Sequence, residues 1–274
     1  MERLEKDVGR KQVTVVIPVY KTVLSDHEKI SLDRAKNVFS AYDIWLIVPE
    51  ALDIGCECEV HVKKFNDYYF QSVDTYSELL LSIDFYNAFY EYKYMLIYQL
   101  DAFVFYDNLE YFCSLGYDYI GAPWIDGIPV KIRNKTKVLF VGNGGLSLRN
   151  IHSTINLLKN FREEAQNYKG PEDFFFSYHD SCDFRVASVK EALKFSFELK
   201  NKRCFLLNKK KLPFGCHAWE RYNIQFWKPY IENYGYKINP ALIDKGNWDE
   251  KFEVGVLRKV SASILRKIVD YKKI

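Results

Sequence analysis

Tyr94-Met95-Leu96-Ile97-Tyr98-Gln99-Leu100-Asp101-Ala102-Phe103-Val104-Phe105 is an apolar run broken near its middle by one carboxylate. Its first half suits a buried strand, and Asp101 stands where such a strand would end. In open α/β sheets ligands collect beyond the carboxyl ends of the strands, so an acid leaving a buried strand is placed to hold a metal or a polar ligand. A turn or cap aspartate is the other reading of the same residue.

Working outward, Val13-Thr14-Val15-Val16-Ile17-Pro18-Val19-Tyr20 reads as a first buried strand stopped near Pro18, after a charged stretch over residues 1–12 expected to fray. A helix is expected from about Glu28 to Ser40, a strand over Ile44–Pro49, and a short strand over Glu59–Lys64. Ser77 reads as the cap of a helix whose apolar positions Leu80, Leu81, Phe85, Ala88 and Phe89 recur at helical spacing. The order β, α, β, β, α, β predicts an α/β fold, Rossmann-like, with a mostly parallel central sheet and helices on both faces. The second half is less regular, with Tyr119–Trp124, then Val138–Arg149, then helices near 150–160, 171–179 and 187–195.

Bulk properties narrow the function. The 274 residues, 48% hydrophobic and 27% charged, suit one large soluble domain. The 21 Tyr, 20 Phe and 5 Trp are in excess, which suits a well-filled core or a cleft that stacks on bases or sugars. A net charge of +3, without a Lys/Arg stripe of the density a phosphate backbone requires, argues against nucleic acid. Six cysteines form no C-x-x-C pair, and the start has no signal-peptide pattern; a reduced, cytoplasmic protein is expected.

Three segments carry chemistry. Val141-Gly142-Asn143-Gly144-Gly145-Leu146-Ser147-Leu148-Arg149 is either a tight turn or a backbone wall that a ligand can approach closely. It is neither G-x-G-x-x-G nor a P-loop. Gly170-Pro171-Glu172-Asp173 opens a helix, where two acids suit the dipole; ahead of Phe174-Phe175-Phe176 they also suit a half-dry site in which a carboxylate becomes a general base. Pro213-Phe214-Gly215-Cys216-His217-Ala218-Trp219 is a loop with one histidine, a structural residue or, with Asp101 and substrate oxygens, a ligand of Mn²⁺ or Mg²⁺. His27, His61, His152 and His179 read as surface or structural, and no Ser or Cys sits in a nucleophile-elbow pattern.

In this order the segments resemble the GT-A glycosyltransferases. Val15–Lys21 looks like the nucleotide-binding first strand of family-two enzymes, and Gln99-Leu100-Asp101 takes the place of their D-x-D motif with only its last acid. The strings Leu-Ile-Tyr-Gln-Leu-Asp-Ala-Phe-Val-Phe, Asp-Tyr-Ile-Gly-Ala-Pro-Trp, Gly-Asn-Gly-Gly-Leu-Ser-Leu-Arg and Pro-Phe-Gly-Cys-His-Ala-Trp resemble a bacterial domain family of unknown function predicted to hold such enzymes. The resemblance spans about residues 13–220. It implies an inverting, metal-dependent transferase using a nucleotide-diphosphate sugar, a UDP-sugar foremost, and a glycan or lipid-linked glycan acceptor in cell-surface polysaccharide synthesis. By the resemblance Asp101 and His217 bind the metal, and Pro18, Tyr20, Gln99 and Asp101 bind the donor. Gly144, Gly145, Trp124 and Trp219 meet the acceptor, with Tyr119 a further stacking candidate. Asp173 or Glu172 is the base, with Asp173 favoured.

Residues 13–245 are expected to form the catalytic domain, and 246–274 a basic amphipathic helix: six basic residues and one acid lie between Arg258 and Lys273. Such a helix either packs on its own domain or lies on the inner face of the plasma membrane. Two rivals remain, a sugar nucleotidyltransferase, whose glycine-rich loop is missing after the first strand, and a degenerate fold that binds glycan or a partner without catalysis.

Overall fold

A computed structural model of the chain describes residues 11–55 and 60–239. Its strands are β1 (Lys11–Pro18), β2 (Asp43–Pro49), β3 (His61–Phe65), β4 (Tyr92–Tyr98), β5 (Phe103–Val104), β6 (Tyr119–Ile120), β7 (Pro123–Ile132), β8 (Lys135–Val141), β9 (Leu146–Asn150), β10 (Ser196–Phe197) and β11 (Gly215–Cys216). Six of them form the main sheet in the order β3-β2-β1-β4-β9-β6. The first four run parallel, and β9 lies antiparallel to both its neighbours. This is the mostly parallel Rossmann-like sheet expected from the sequence.

The apolar runs of β1 and β4 follow from burial on two sides. Val13, Val15 and Ile17, with Tyr94, Leu96 and Tyr98, point into one core together with Ala35 and Phe39 of the Asp26–Val38 helix region. Val16, Met95 and Ile97 point into the other, against Leu79, Leu80, Phe85 and Phe89. A strand with no wet face has no place for polar residues, which is why the pattern is continuous and not alternating. A third core, with Phe103, Phe105, Trp219 and Trp227, lies under β5, β10 and β11.

Several local expectations change. Lys11 and Gln12 begin β1 instead of fraying: the Lys11 backbone N–H donates to the Glu91 carbonyl, and its ammonium sits 2.7 Å from Asp43 Oδ2. The helix expected after Ser77 is two short ones, Val73–Leu80 and Ile83–Asn87, capped by Ser72 and Ser82, whose hydroxyls accept from the Thr75 and Phe85 N–H groups. Ser77 is inside the first and buried; its hydroxyl is spent on Glu172. Cys113, Cys182, Cys204 and Cys216 are free thiols. No helix among the described residues is long and apolar enough to cross a membrane. The expected C-terminal helix, 246–274, lies outside the described residues.

Candidate active site

Because β1 and β4 are parallel neighbours, Pro18 and Tyr98 end on the same edge of the sheet, and the residues that follow them share a cavity of about 630 Å³. Pro18, Tyr20, Gln99, Asp101 and His217 line it, together with Lys21, His27, Tyr76, Glu220 and Arg221. The size suits a ligand of the dimensions of a nucleotide sugar. Asp101 reaches it because the chain turns directly after β4, where the Ala102 N–H donates to the Gln99 carbonyl. His217 reaches it because β11 pairs with β10 and the His217 N–H bonds the Phe197 carbonyl.

These two side chains meet. His217 Nε2 is 2.9 Å from Asp101 Oδ1, and its Nδ1 is 3.2 Å from Glu198 Oε1. Arg221 holds the other oxygen of Asp101 at 2.7 Å while its side chain stays 60% exposed. Burial opposes the charge on Asp101, but His217 and Arg221 outweigh it and hold the carboxyl down at about 2. Burial likewise opposes the imidazolium, and the charges of Asp101 and Glu198 overcome it, pushing His217 up to about 10.

The donor set is compatible with a divalent metal. Asp101 Oδ1 is buried and has no aligned hydrogen bond, the Nε2 group pairing instead with Gln99 Oε1 at 3.2 Å. A 2.9 Å separation between an oxygen and a nitrogen is that of adjacent ligands on an ion bound at about 2.1 Å. Among the described residues no group of three or more His, Cys, Asp or Glu is arranged to hold a metal by itself. Any such ion therefore needs further oxygens from substrate or water.

The glycine pair separates this corner from a second one. Gly145 lies flat against the imidazole, and a Cβ there would run into the His217 ring. The neighbouring Gly144 N–H donates to Asp173 Oδ2 at 3.1 Å, and the Phe174 N–H to Asp173 Oδ1 at 2.7 Å. Both N–H groups favour the carboxylate. Burial and the nearby charges of Glu172 and Glu198 win, and Asp173 is raised to about 8. Glu172, although adjacent in sequence, is committed elsewhere: Arg149 Nη2 holds its Oε1 at 2.9 Å, and the Ser77 hydroxyl donates to Oε2 at 3.2 Å. Arg149 is itself wholly buried, donating also to Tyr86 and Ser147.

Five of the sequence candidates thus surround one cavity, and Asp173, Gly144 and Gly145 stand behind it. Three others are corrected. Trp219 is fully buried, its indole N–H directed at Ser31 Oγ, 3.4 Å away. Trp124 packs edge-on against Phe174, and Tyr119 stacks on Phe176, both in the interior. Large rings flanking a short strand in a two-sided core are buried before they can serve a ligand. Glu172 is corrected as well, since Arg149 and Ser77 hold its two oxygens.

Four participants were not picked out by pattern. Glu198 follows β10, a two-residue strand too short to leave a periodic signal. Glu220 and Arg221 come directly after Trp219, and their proximity to His217 in sequence was the available clue. His27, expected to be structural, lines the cavity, 3.9 Å from Glu220 Oε1.

The model of the family described as "Protein of unknown function (DUF5672)" matches residues 59–217. Among solved structures, the apo form of WbbM, a bifunctional glycosyltransferase, is similar at 14% identity and a TM-score of 0.52, over 89% of this chain and 51% of that one. The glycosyltransferase GlyE of Streptococcus pneumoniae TIGR4 is similar at 13% identity and a TM-score of 0.48, over 88% of this chain and 64% of that one. The present chain therefore spans about half of one and under two thirds of the other. No curated protein matches. The fold is that of the GT-A-like glycosyltransferases.

Proposed function

Since the chain belongs to the DUF5672 family and has a glycosyltransferase fold, we propose that it is an inverting, metal-dependent glycosyltransferase. Its donor is a nucleotide-diphosphate sugar, a UDP-sugar foremost. Its acceptor is a hydroxyl of a glycan or lipid-linked glycan in cell-surface polysaccharide synthesis, on the cytoplasmic side. The observation that supports this reading most is the cavity beyond β1 and β4, into which Asp101, His217 and Arg221 bring one carboxylate, one imidazole and one guanidinium.

Asp101 and His217, the latter giving up its Nε2 proton, would hold Mn²⁺ or Mg²⁺, which would supply positive charge to the departing nucleotide diphosphate. Glu198 accepts the Nδ1 proton of His217, which fixes the ring and leaves Nε2 to face Asp101. Arg221 already stands at Asp101 with its side chain more than half exposed, so it can add a second, permanent charge toward a phosphate. Gln99 replaces the first acid of D-x-D; an amide there recognises a ribose hydroxyl without adding negative charge next to Asp101.

Asp173 is the acid for proton abstraction. A base works best when its pKa lies near the working pH, and burial beside two other carboxylates brings Asp173 to about 8. Its two backbone N–H partners orient it, and one of them belongs to Gly144, whose neighbour Gly145 packs on the His217 ring. In the transfer, the acceptor hydroxyl loses its proton to Asp173, its oxygen bonds the anomeric carbon, and the bond to the diphosphate oxygen breaks on the opposite face. One displacement of this kind inverts the anomeric centre.

The test is thermal stability of the full chain against nucleotides and nucleotide sugars with Mn²⁺, Mg²⁺ or EDTA. A ligand at a hundredfold excess over its Kd stabilises by about 2.7 kcal/mol. A shift with one nucleotide-diphosphate sugar that vanishes in EDTA is the expected result. No shift with any of them removes the transferase reading in favour of a fold that only binds, a reading the Arg221–Asp101 pair and the single-acid motif would then account for.

A further inference from the structure

Between Glu198 and Glu220 the chain carries six basic residues, Lys200, Lys202, Arg203, Lys209, Lys210 and Lys211, and no acid. The segment leaves the site at Glu198 and returns to it at His217. Its helix, Asn201–Leu207, buries Asn201 and Cys204 and lays Phe205 against Phe226 and Tyr230. The opposite face is exposed and presents Lys202 and Arg203 one turn before Leu206 and Leu207, which are 62% and 53% exposed. Beyond it Lys209 and Lys210 are exposed at φ +56° and +58°, a left-handed conformation that glycine would adopt at less cost.

The neighbouring acids are accounted for. Asp126 is held by Lys200 and Arg203, and Glu232 by Lys228. Lys202, Lys209, Lys210 and Lys211 form no ion pair among the described residues. The surface therefore combines two exposed leucines with four ammonium groups that no acid among the described residues pairs with. Exposed leucines flanked along the chain by lysines suit the headgroup and acyl boundary of a bilayer, where the apolar tips insert and the amines meet anionic lipid. Nucleic acid would reward the charge and leave the leucines in water.

We propose that the Lys202–Lys211 surface docks the protein on an anionic lipid bilayer. Because Glu198 and His217 directly follow β10 and β11 at its two ends, docking holds the cavity at a set height over the membrane. This orientation serves a lipid-linked acceptor, a consequence that rests on the transferase reading; the docking itself does not.

The test is co-sedimentation of the full chain with vesicles of phosphatidylcholine alone or with about 30% phosphatidylglycerol. The wild type should bind the anionic vesicles and not the neutral ones. Charge reversal of Lys209, Lys210 and Lys211 to Glu should weaken binding about a hundredfold or more, at roughly fivefold per lysine. Leu206→Ser with Leu207→Ser should weaken it about tenfold or more. Both variants should keep the wild-type Tm without ligand, which shows that they fold and leaves the transferase reading to stand or fall separately. The proposal is overturned if vesicle binding survives both variants and is lost instead when Arg258, Lys259, Arg266 and Lys267 become Gln. Binding to a DNA or RNA duplex that is tighter than to vesicles and indifferent to the leucine pair also overturns it.

Discussion

Two carboxylate–cation pairs in this molecule differ in almost everything except composition. At Asp101 the partners His217 and Arg221 line a cavity, one carboxylate oxygen lacks an aligned hydrogen bond, and the guanidinium is largely in water. At Glu172 the partner Arg149 has no exposure, and both carboxylate oxygens are satisfied. In the first pair Asp101 Oδ1 has an ion pair to His217 and no aligned hydrogen bond. The second has spent its capacity on the fold. A buried ion pair therefore says little about function until its unused valences are counted.

The contrast sharpens at Glu172 and Asp173, adjacent on one helix. Glu172 has a neutralising guanidinium; Asp173 has two N–H donors and two like charges, and is the one raised to about 8. Asp173→Asn should give the largest change, a loss of turnover of about 10²–10⁴ with donor affinity kept, measured as kcat and KM separately. Turnover with retained magnitude would move the base elsewhere. Turnover of the wild type should rise with pH up to about 8, since only the ionised form accepts a proton.

Arg149→Met tests the sealed pair. It leaves Glu172 charged, buried and unpaired, and should lower unfolding stability by about 3–5 kcal/mol, read by denaturant titration. A near-neutral outcome would mean that Glu172 takes up a proton or reaches solvent, and the two corners would then be less different than they look.

Arg221→Gln tests the open pair, where the effect is smaller because the side chain is mostly hydrated. Affinity for a nucleoside diphosphate should fall about tenfold while that for the nucleoside alone holds, by calorimetry. Equal loss for both would make Arg221 a prop for Asp101 instead of a phosphate contact.

The last test is thermodynamic. A carboxyl whose pKa is raised on folding stabilises fully below the unfolded value near 3.8, and that contribution is lost as pH rises through about 8. The Tm of Asp173→Asn relative to wild type should therefore climb between pH 4 and pH 8. A flat difference would mean that Asp173 titrates normally.

Much of this was written in the order of residues. β1 and β4 announce themselves because burial on both faces leaves only apolar positions, and Asp101 is conspicuous as the acid that ends such a run. The glycine pair and the Glu172-Asp173 helix start were also visible as motifs. The roles of the aromatic residues were not, because Trp124 and Trp219 have the same composition-level signature whether they stack on sugar or, as here, meet Phe174 edge-on and point an indole N–H at Ser31 Oγ. Ser77 matches a cap by type, yet Ser72 and Ser82 do the capping, since the serine before each helix start competes with it locally.

What the sequence by itself determined is the parallel α/β architecture and a short set of polar residues placed at strand ends, because periodicity is a local property that each strand carries alone. What only the tertiary structure decided is how those residues divide. Whether a carboxylate is a base, a ligand or a structural counter-ion depends on which cation arrives from a distant element. Arg149 comes to Glu172 from 23 residues away and His217 to Asp101 from across the sheet edge, and neither encounter leaves a trace in the local pattern.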